Sequence, residues 1–385
     1  LVTGLLVLGL AQGDAVGKAV PNLVTPREEG LAGGGATEDQ IARAWDALAV
    51  GETHRAVSRL REAHRAEPGH PTTARLVEVL NRLERPCEEV ELSESLRRVL
   101  PEGSRLERSD HVALWHQGTP ESARERLEVL ERVVLTFYLV FTASGFDLDV
   151  PRQRLPFLWL ADHRAYVEFL RVEGAEPFLS TTGFYHPTRR MVVTYDVARA
   201  SEAPGFAARF AGIDPRAVAV GTATHELVHQ LMSVSGLVDS SEDFPRWLHE
   251  GLAMQFEAAP EGSWAGFGRV HHIRLADWER AARSHRLLPV IRDEGLERGY
   301  QRGRYAEAWA LVYFLRQRHP RQFVALLDLL RVPRRRPGPP ADHYERVFRQ
   351  ALGPDLNRLE REWVEFIERL EPPTPSRPAE AACPD

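Results

Sequence analysis

The segment His225-Glu226-Leu227-Val228-His229 constrains the fold of this chain more than any other. Residues at positions i and i+4 share one face of a helix. In a helix, His225 and His229 therefore project together, and each can offer a ring nitrogen to one cation. Glu226 lies about 100° further round the helix. It is badly placed as a third ligand but well placed beside an open coordination position. The local sequence supports the helix. Asp214-Pro215 reads as an N-cap followed by proline at the first helical position. Val218, Leu227, Val228, Leu231 and Met232 form an apolar stripe, and Gly236 is a stop. Two histidines on a helix are also met as ordinary, partly exposed residues, so the pattern needs a further ligand.

Glu250 offers one, within the string Trp247-Leu248-His249-Glu250-Gly251-Leu252-Ala253. Two imidazoles, a third ligand and a spare carboxylate make up the donor set of a catalytic zinc site. Zinc in such a site lowers the pKa of its water to about 7, and Glu226 takes the proton and passes it to a leaving amine. Glu257 follows on about the same face. It reads either as a partner orienting a ligand histidine or as an exposed helix glutamate.

HELVH followed by Trp-Leu-His-Glu-Gly-Leu-Ala resembles the gluzincin metallopeptidases, whose aminopeptidase-N-like and leukotriene-hydrolase-like branches carry HExxH and then a Trp-Leu-Asn-Glu-Gly-Phe-Ala type segment. Here the intervening stretch is two residues longer, and His249 stands where that pattern has asparagine. The resemblance implies His225, His229 and Glu250 as zinc ligands, Glu226 as general base and Glu257 as an orienting partner. It also implies an oxyanion-stabilising tyrosine, matched by Tyr305 in Tyr305-Ala306-Glu307-Ala308-Trp309-Ala310. Ala308 replaces the family's glycine there. A buried core tyrosine is the alternative for Tyr305. Tyr300 is the fallback, and His271 and His272 are candidates without a motif. The family's amine-holding Gly-x-Met-Glu-Asn segment is missing, so aminopeptidase specificity is not implied. Residues 183–196 instead read as two short strands around a turn, suited to pair with an extended peptide. The resemblance is closer to uncharacterised exported bacterial gluzincin-like proteins. It covers roughly residues 105–370, with sharp motifs at 224–257 and weaker ones at 305–314.

The expected fold class is α+β. A zincin-like domain over 105–370 would combine a small mixed sheet, the metal helix and a mostly helical C-terminal part. A strand at 110–116, a long helix from Thr119-Pro120 to Ser144, a strand at 155–160 and a helix opened by Asp162 lead into the hairpin. Residues 37–84 read as three helices, either a single tetratricopeptide-like repeat or a plain helical hairpin. Residues 1–20 resemble a secretory signal without its charged start, 21–36 a linker, and 371–385 a disordered proline-rich tail. Export is therefore expected, the alternative being a disordered or buried start.

Composition excludes other classes. The chain has 385 residues with 43% apolar content, enough for a proper core, and a net charge of −6 that gives nothing to nucleic acid. Lys18 is the only lysine, and Arg334-Arg335-Arg336 reads as a solvated loop. Cys87 and Cys383 lack metal spacing, leaving a disulfide or a plain buried thiol at Cys87. The most apolar later run, 133–143, is too short to span a bilayer. The expected partner is a peptide or protein substrate, with the N-terminal helices open to a protein partner. Three functions compete: a zinc peptidase, a zinc hydrolase of non-peptide amides, and an inactive gluzincin-fold binding protein. The intact Glu226 argues against the last.

Overall fold

A computed structural model describes residues 35–371, except 198–212, 239–243, 260–261, 282–284, 297–300 and 333–338. The apolar start, Tyr300, the arginine run at 334–336, Cys383 and the tail from 372 lie outside the described residues. The described chain is mixed α+β, mostly helical with one small sheet.

Three helices open it: α1 (Ala36–Ala49), α2 (Thr53–Ala66) and α3 (Pro71–Leu83). A short α4 (Glu94–Val99) and strands β1 (Arg105–Arg108) and β2 (Val112–His116) follow. The long α5 (Pro120–Ala143) begins where Thr119 accepts a hydrogen bond from the Ser122 amide, with proline at its first position. Then come β3 (Leu155–Leu160), α6 (His163–Glu173), β4 (Gly183–His186) and β5 (Met191–Tyr195). Asp162 caps α6, and Gly174 closes it in the left-handed conformation at φ 67°.

The strand order is β1-β2-β3-β5-β4. β2, β3 and β5 run parallel, while β1 and β4 pair antiparallel at the two edges. The central strands are apolar on both faces because both are covered. Val112, Leu114, Phe157, Trp159 and Val192 face the core shared with α5 and with Leu227, Val228 and Leu231. Ala113, Trp115, Leu158, Leu160, Val193 and Tyr195 face α6 and α4 through Tyr166, Phe169, Leu170 and Leu96. This strict alternation is the two-residue period of a strand. The run at 133–143 is the buried second half of α5.

The helix that carries His225 and His229 is α7 (Pro215–Val234), capped by Asp214 and followed by Gly236 at φ 68°. Beyond it the described chain is helical: α8 (Arg246–Ala253), α9 (His272–Arg280), α10 (Leu287–Ile291), α11 (Arg302–Arg318), α12 (Pro320–Arg331), α13 (Pro340–Leu352) and α14 (Leu356–Glu368). Among the described residues no helix is long and apolar enough to cross a membrane.

The N-terminal helices are built into this body. Ala44, Ala56, Leu60, Leu76 and Leu80 share a core with Leu139 and Ala143 of α5. Where α1 turns into α2, a Cβ on Gly266 would lie 2.5 Å from the Gly51 nitrogen. His111 ties the same region to the sheet. Its Nε2 lies 2.9 Å from the Leu83 carbonyl and its Nδ1 2.7 Å from Glu131. Burial opposes the charged ring, but Glu131 outweighs it and the pKa is raised. Cys87 is a buried free thiol donating to the Pro151 carbonyl.

Candidate metal centre

Helix α7 is clamped on two sides. Toward the sheet, the Gln230 amide donates to the carbonyls of Pro156 and Arg190, at 3.2 and 2.6 Å. Thr222 and Thr182 hydroxyls meet at 2.7 Å, and Gly183 lies so close that a Cβ would be 2.8 Å from the Thr222 methyl. On the other side, the Thr224 hydroxyl donates to the Phe256 carbonyl at 2.9 Å. Gly221 lets the Glu257 backbone approach, since a Cβ there would sit 3.0 Å from its carbonyl oxygen. The helix carrying His225 and His229 therefore has little freedom to rotate or slide.

Helix α8 delivers Glu250. Pro245 at its N-cap has no side chain able to bond the first amides, and Asp293 supplies the cap from a distant turn. Its two oxygens accept from the Arg246 and Trp247 amides at 2.8 and 2.9 Å. Trp247, Leu248, Leu252 and Ala253 are buried in the core. Gly251 faces α11 at a separation that admits no side chain. An added Cβ would stand 2.4 Å from Val312 Cγ2 and 2.7 Å from the Ala308 carbonyl. With those faces committed, His249 and Glu250 are left lining the cavity.

The three candidate donors converge. Nε2 of His225 and His229 are 3.0 Å apart, and Oε2 of Glu250 lies 3.1 Å from the first and 3.6 Å from the second. Ligand atoms about 2.0–2.1 Å from a tetrahedral ion lie about 3.3 Å from one another. The triangle has that size. Two Nε2 atoms at 3.0 Å, with a carboxylate beside them, are held together by a shared proton in the metal-free chain, a place that a cation could take by displacing it.

The electrostatics agree. Burial opposes charge on His225, but hydrogen bonding to Glu250, the nearby Glu257 carboxylate and the charge of Glu226 outweigh it and push its pKa up to about 10. Burial likewise raises Glu250, yet His229 and His225 hold it well below the usual carboxylate range. Glu226 goes the other way: burial lifts its pKa, and the two histidines oppose this only in part. His249 is pulled down to about 3 by burial and by His229, so its ring is neutral.

Behind His225 sits a second cluster. Glu257 Oε2 is 3.7 Å from His225 Nδ1, longer than a hydrogen bond but within ion-pair reach. The same carboxylate meets His271 Nε2 at 3.4 Å and accepts from Arg274 at 2.9 and 3.1 Å. Burial would raise its pKa, but Arg274 and then His271 hold it well below the ordinary range. Glu257 is thus a partly buried, charged group behind His225.

A cavity of about 570 Å³ opens over these groups. Glu226, Glu250, His249, His271, His272, Arg274 and Tyr305 all line it, with Gly183, Phe184 and Tyr185 of the edge strand β4 forming another wall. The Tyr185 backbone favours the charged form of Glu226, which puts that carboxylate beside the edge strand. Tyr305 is half-buried at the start of α11, with the Arg274 guanidinium 5.6 Å from its ring centroid. The structure thus brings His225, Glu226, His229, Glu250, Glu257, His271, His272 and Tyr305 to one cavity. Sequence reasoning missed Arg274, the Asp293 cap and the contact of His249 with His229. Arg274 and Asp293 belong to no motif, and the contact of His249 with His229, though both lie in motifs, depends on how two separate helices pack.

A family described as "Protein of unknown function (DUF1570)" matches residues 219–337, a stretch that holds most of α7 and all of α8 and α11. No curated protein matches the chain.

Proposed function

We propose that this chain is a zinc-dependent hydrolase with a zincin-like domain, and that it cuts peptide bonds in extended substrates. The observation carrying this reading is the donor triangle, whose edges of 3.0, 3.1 and 3.6 Å suit one small tetrahedral cation. Three protein ligands leave one position open, the arrangement of a catalytic rather than a structural site. Two nitrogens and one carboxylate favour zinc over magnesium or calcium, which prefer all-oxygen shells. When bound, zinc supplies a Lewis acid that polarises a carbonyl and acidifies water.

The chain's own residues supply the rest. His225, His229 and Glu250 hold the ion. Glu226 lines the cavity next to this triangle without joining it, and its raised pKa suits a group that takes a proton from the attacking water. It then returns that proton to the leaving nitrogen. Tyr305 lines the same cavity, where its phenolic O–H would donate a hydrogen bond to the oxygen that becomes negative. The β4 edge gives an extended peptide backbone groups to pair with, beside Glu226.

The test is metal content and turnover on matched proteins. The parent chain is expected to hold about one zinc. Glu250→Ala is expected to lose it, and Glu226→Gln to keep it while kcat on a cleaved peptide falls by at least about 100-fold. A parent chain that binds no zinc, or a Glu226→Gln protein with full turnover, refutes the reading.

A further inference from the structure

We propose that His249 is a positioning residue: its ring stacks on His229 and holds that ring in the plane that aims Nε2 at the donor triangle. The inference rests on the reading of this site as a metal centre.

A histidine that binds a metal ordinarily gives its second ring nitrogen to a carboxylate or carbonyl, and that bond sets the ring's rotation. His225 has such a group within reach, Glu257 at 3.7 Å from Nδ1. His229 has none. Its Nδ1 is buried without a hydrogen-bond partner among the described residues. Among the described residues, what bears on the rotation of this ring is packing.

The ring of His249 lies against it, with centroids 4.2 Å apart and planes only 18° from parallel. Aromatic atoms in contact are about 3.5–4.0 Å apart, so rotating His229 would drive its edge into the His249 ring. Around the same ring, His225 meets it edge-on at 4.6 Å and 83°. His249 is itself held. Phe244, which is buried, meets it edge-on at 6.3 Å and 76°. Its backbone amide donates to the Pro245 carbonyl in the first turn of α8. Since Glu250 is the next residue, one turn of one helix supplies both a ligand and the clamp on another ligand.

The experiment measures the zinc dissociation constant of the full chain by competition with a chromogenic chelator, with a thermal melt beside each measurement. His249→Ala removes the stack, His249→Leu keeps the bulk without a ring, and His249→Phe keeps a ring without nitrogens. Expected are losses of about tenfold or more in zinc affinity for alanine and leucine, and a phenylalanine variant within about threefold of the parent. If His249→Ala melts too low to assay, the leucine and phenylalanine pair decides the matter alone. Leucine or alanine variants that bind as tightly as the parent overturn the role of His249. So does a phenylalanine variant as weak as alanine, because the ring nitrogens would then be what matters. A parent chain that takes up no zinc refutes the metal centre itself, a result distinct from either.

Discussion

Gly251→Ala tests whether the approach of α8 to α11 is what brings Glu250 to the histidines. The new Cβ would stand 2.4 Å from Val312 Cγ2 and 2.7 Å from the Ala308 carbonyl. Ordinary carbon contacts begin near 3.5 Å, so the pair is about 1 Å too close. Val312 is β-branched, buried and stiff in a helix, and the Ala308 carbonyl is backbone, so neither can step aside. The helices must part. Overpacking of this kind costs about 1–3 kcal/mol, while alanine regains about 1 kcal/mol of helix propensity over glycine. The net expectation is a loss of up to about 2 kcal/mol, seen as a melting temperature a few degrees lower. Zinc affinity should fall with it, because moving α8 by even a fraction of 1 Å pulls Glu250 off the triangle. Thermal melts and chelator competition read the two effects. The double variant with Val312→Ala should recover part of the stability, since it removes the nearer clash and leaves the carbonyl. A Gly251→Ala protein as stable as the parent, with unchanged zinc affinity, would refute this packing argument.

Three further outcomes follow from the same geometry. Tyr305→Phe should keep zinc and lower kcat by about 100-fold or more, with little change in KM; unchanged kcat would make Tyr305 a wall residue only. Glu257→Gln should weaken zinc by about tenfold, measured by chelator competition, because His225 loses its rear carboxylate and Arg274 and His271 lose a shared partner. His225 has a folded pKa raised to about 10, above its value in an unfolded chain, so the metal-free protein carries that stabilisation in full below about pH 6.5 and loses it as pH climbs through about 10. Zinc must displace the same proton, so its affinity should rise by about tenfold per pH unit between about 7 and 9; a flat profile in titrations would contradict the protonated His225.

Local rules made much of the architecture legible in the sequence. Caps at Thr119, Asp162 and Asp214, with glycines at 145, 174 and 236, bound α5, α6 and α7 because each rests on neighbours in the chain. Elements that local rules mark weakly escaped. β1 is the half-exposed edge strand Arg105–Arg108, whose charges hide the two-residue period, and α4 is only six residues long. The family resemblance singles out Tyr305, but only packing puts it in the same cavity as Glu226.

Taken alone, the sequence determined that His225 and His229 share a helix face with Glu226 turned aside, because a 3.6-residue period needs no other part of the chain. It also marked Glu250 as the next carboxylate in a helical context. The tertiary structure decided the rest. The glycine-permitted contact with α11 and the remote Asp293 cap set where Glu250 stands. The meeting of Glu257 with His271 and Arg274, and the lie of His249 against His229, come from segments that local periodicity does not relate. Helical spacing fixes angles within one element, whereas distances between elements are set by which surfaces pack and how closely.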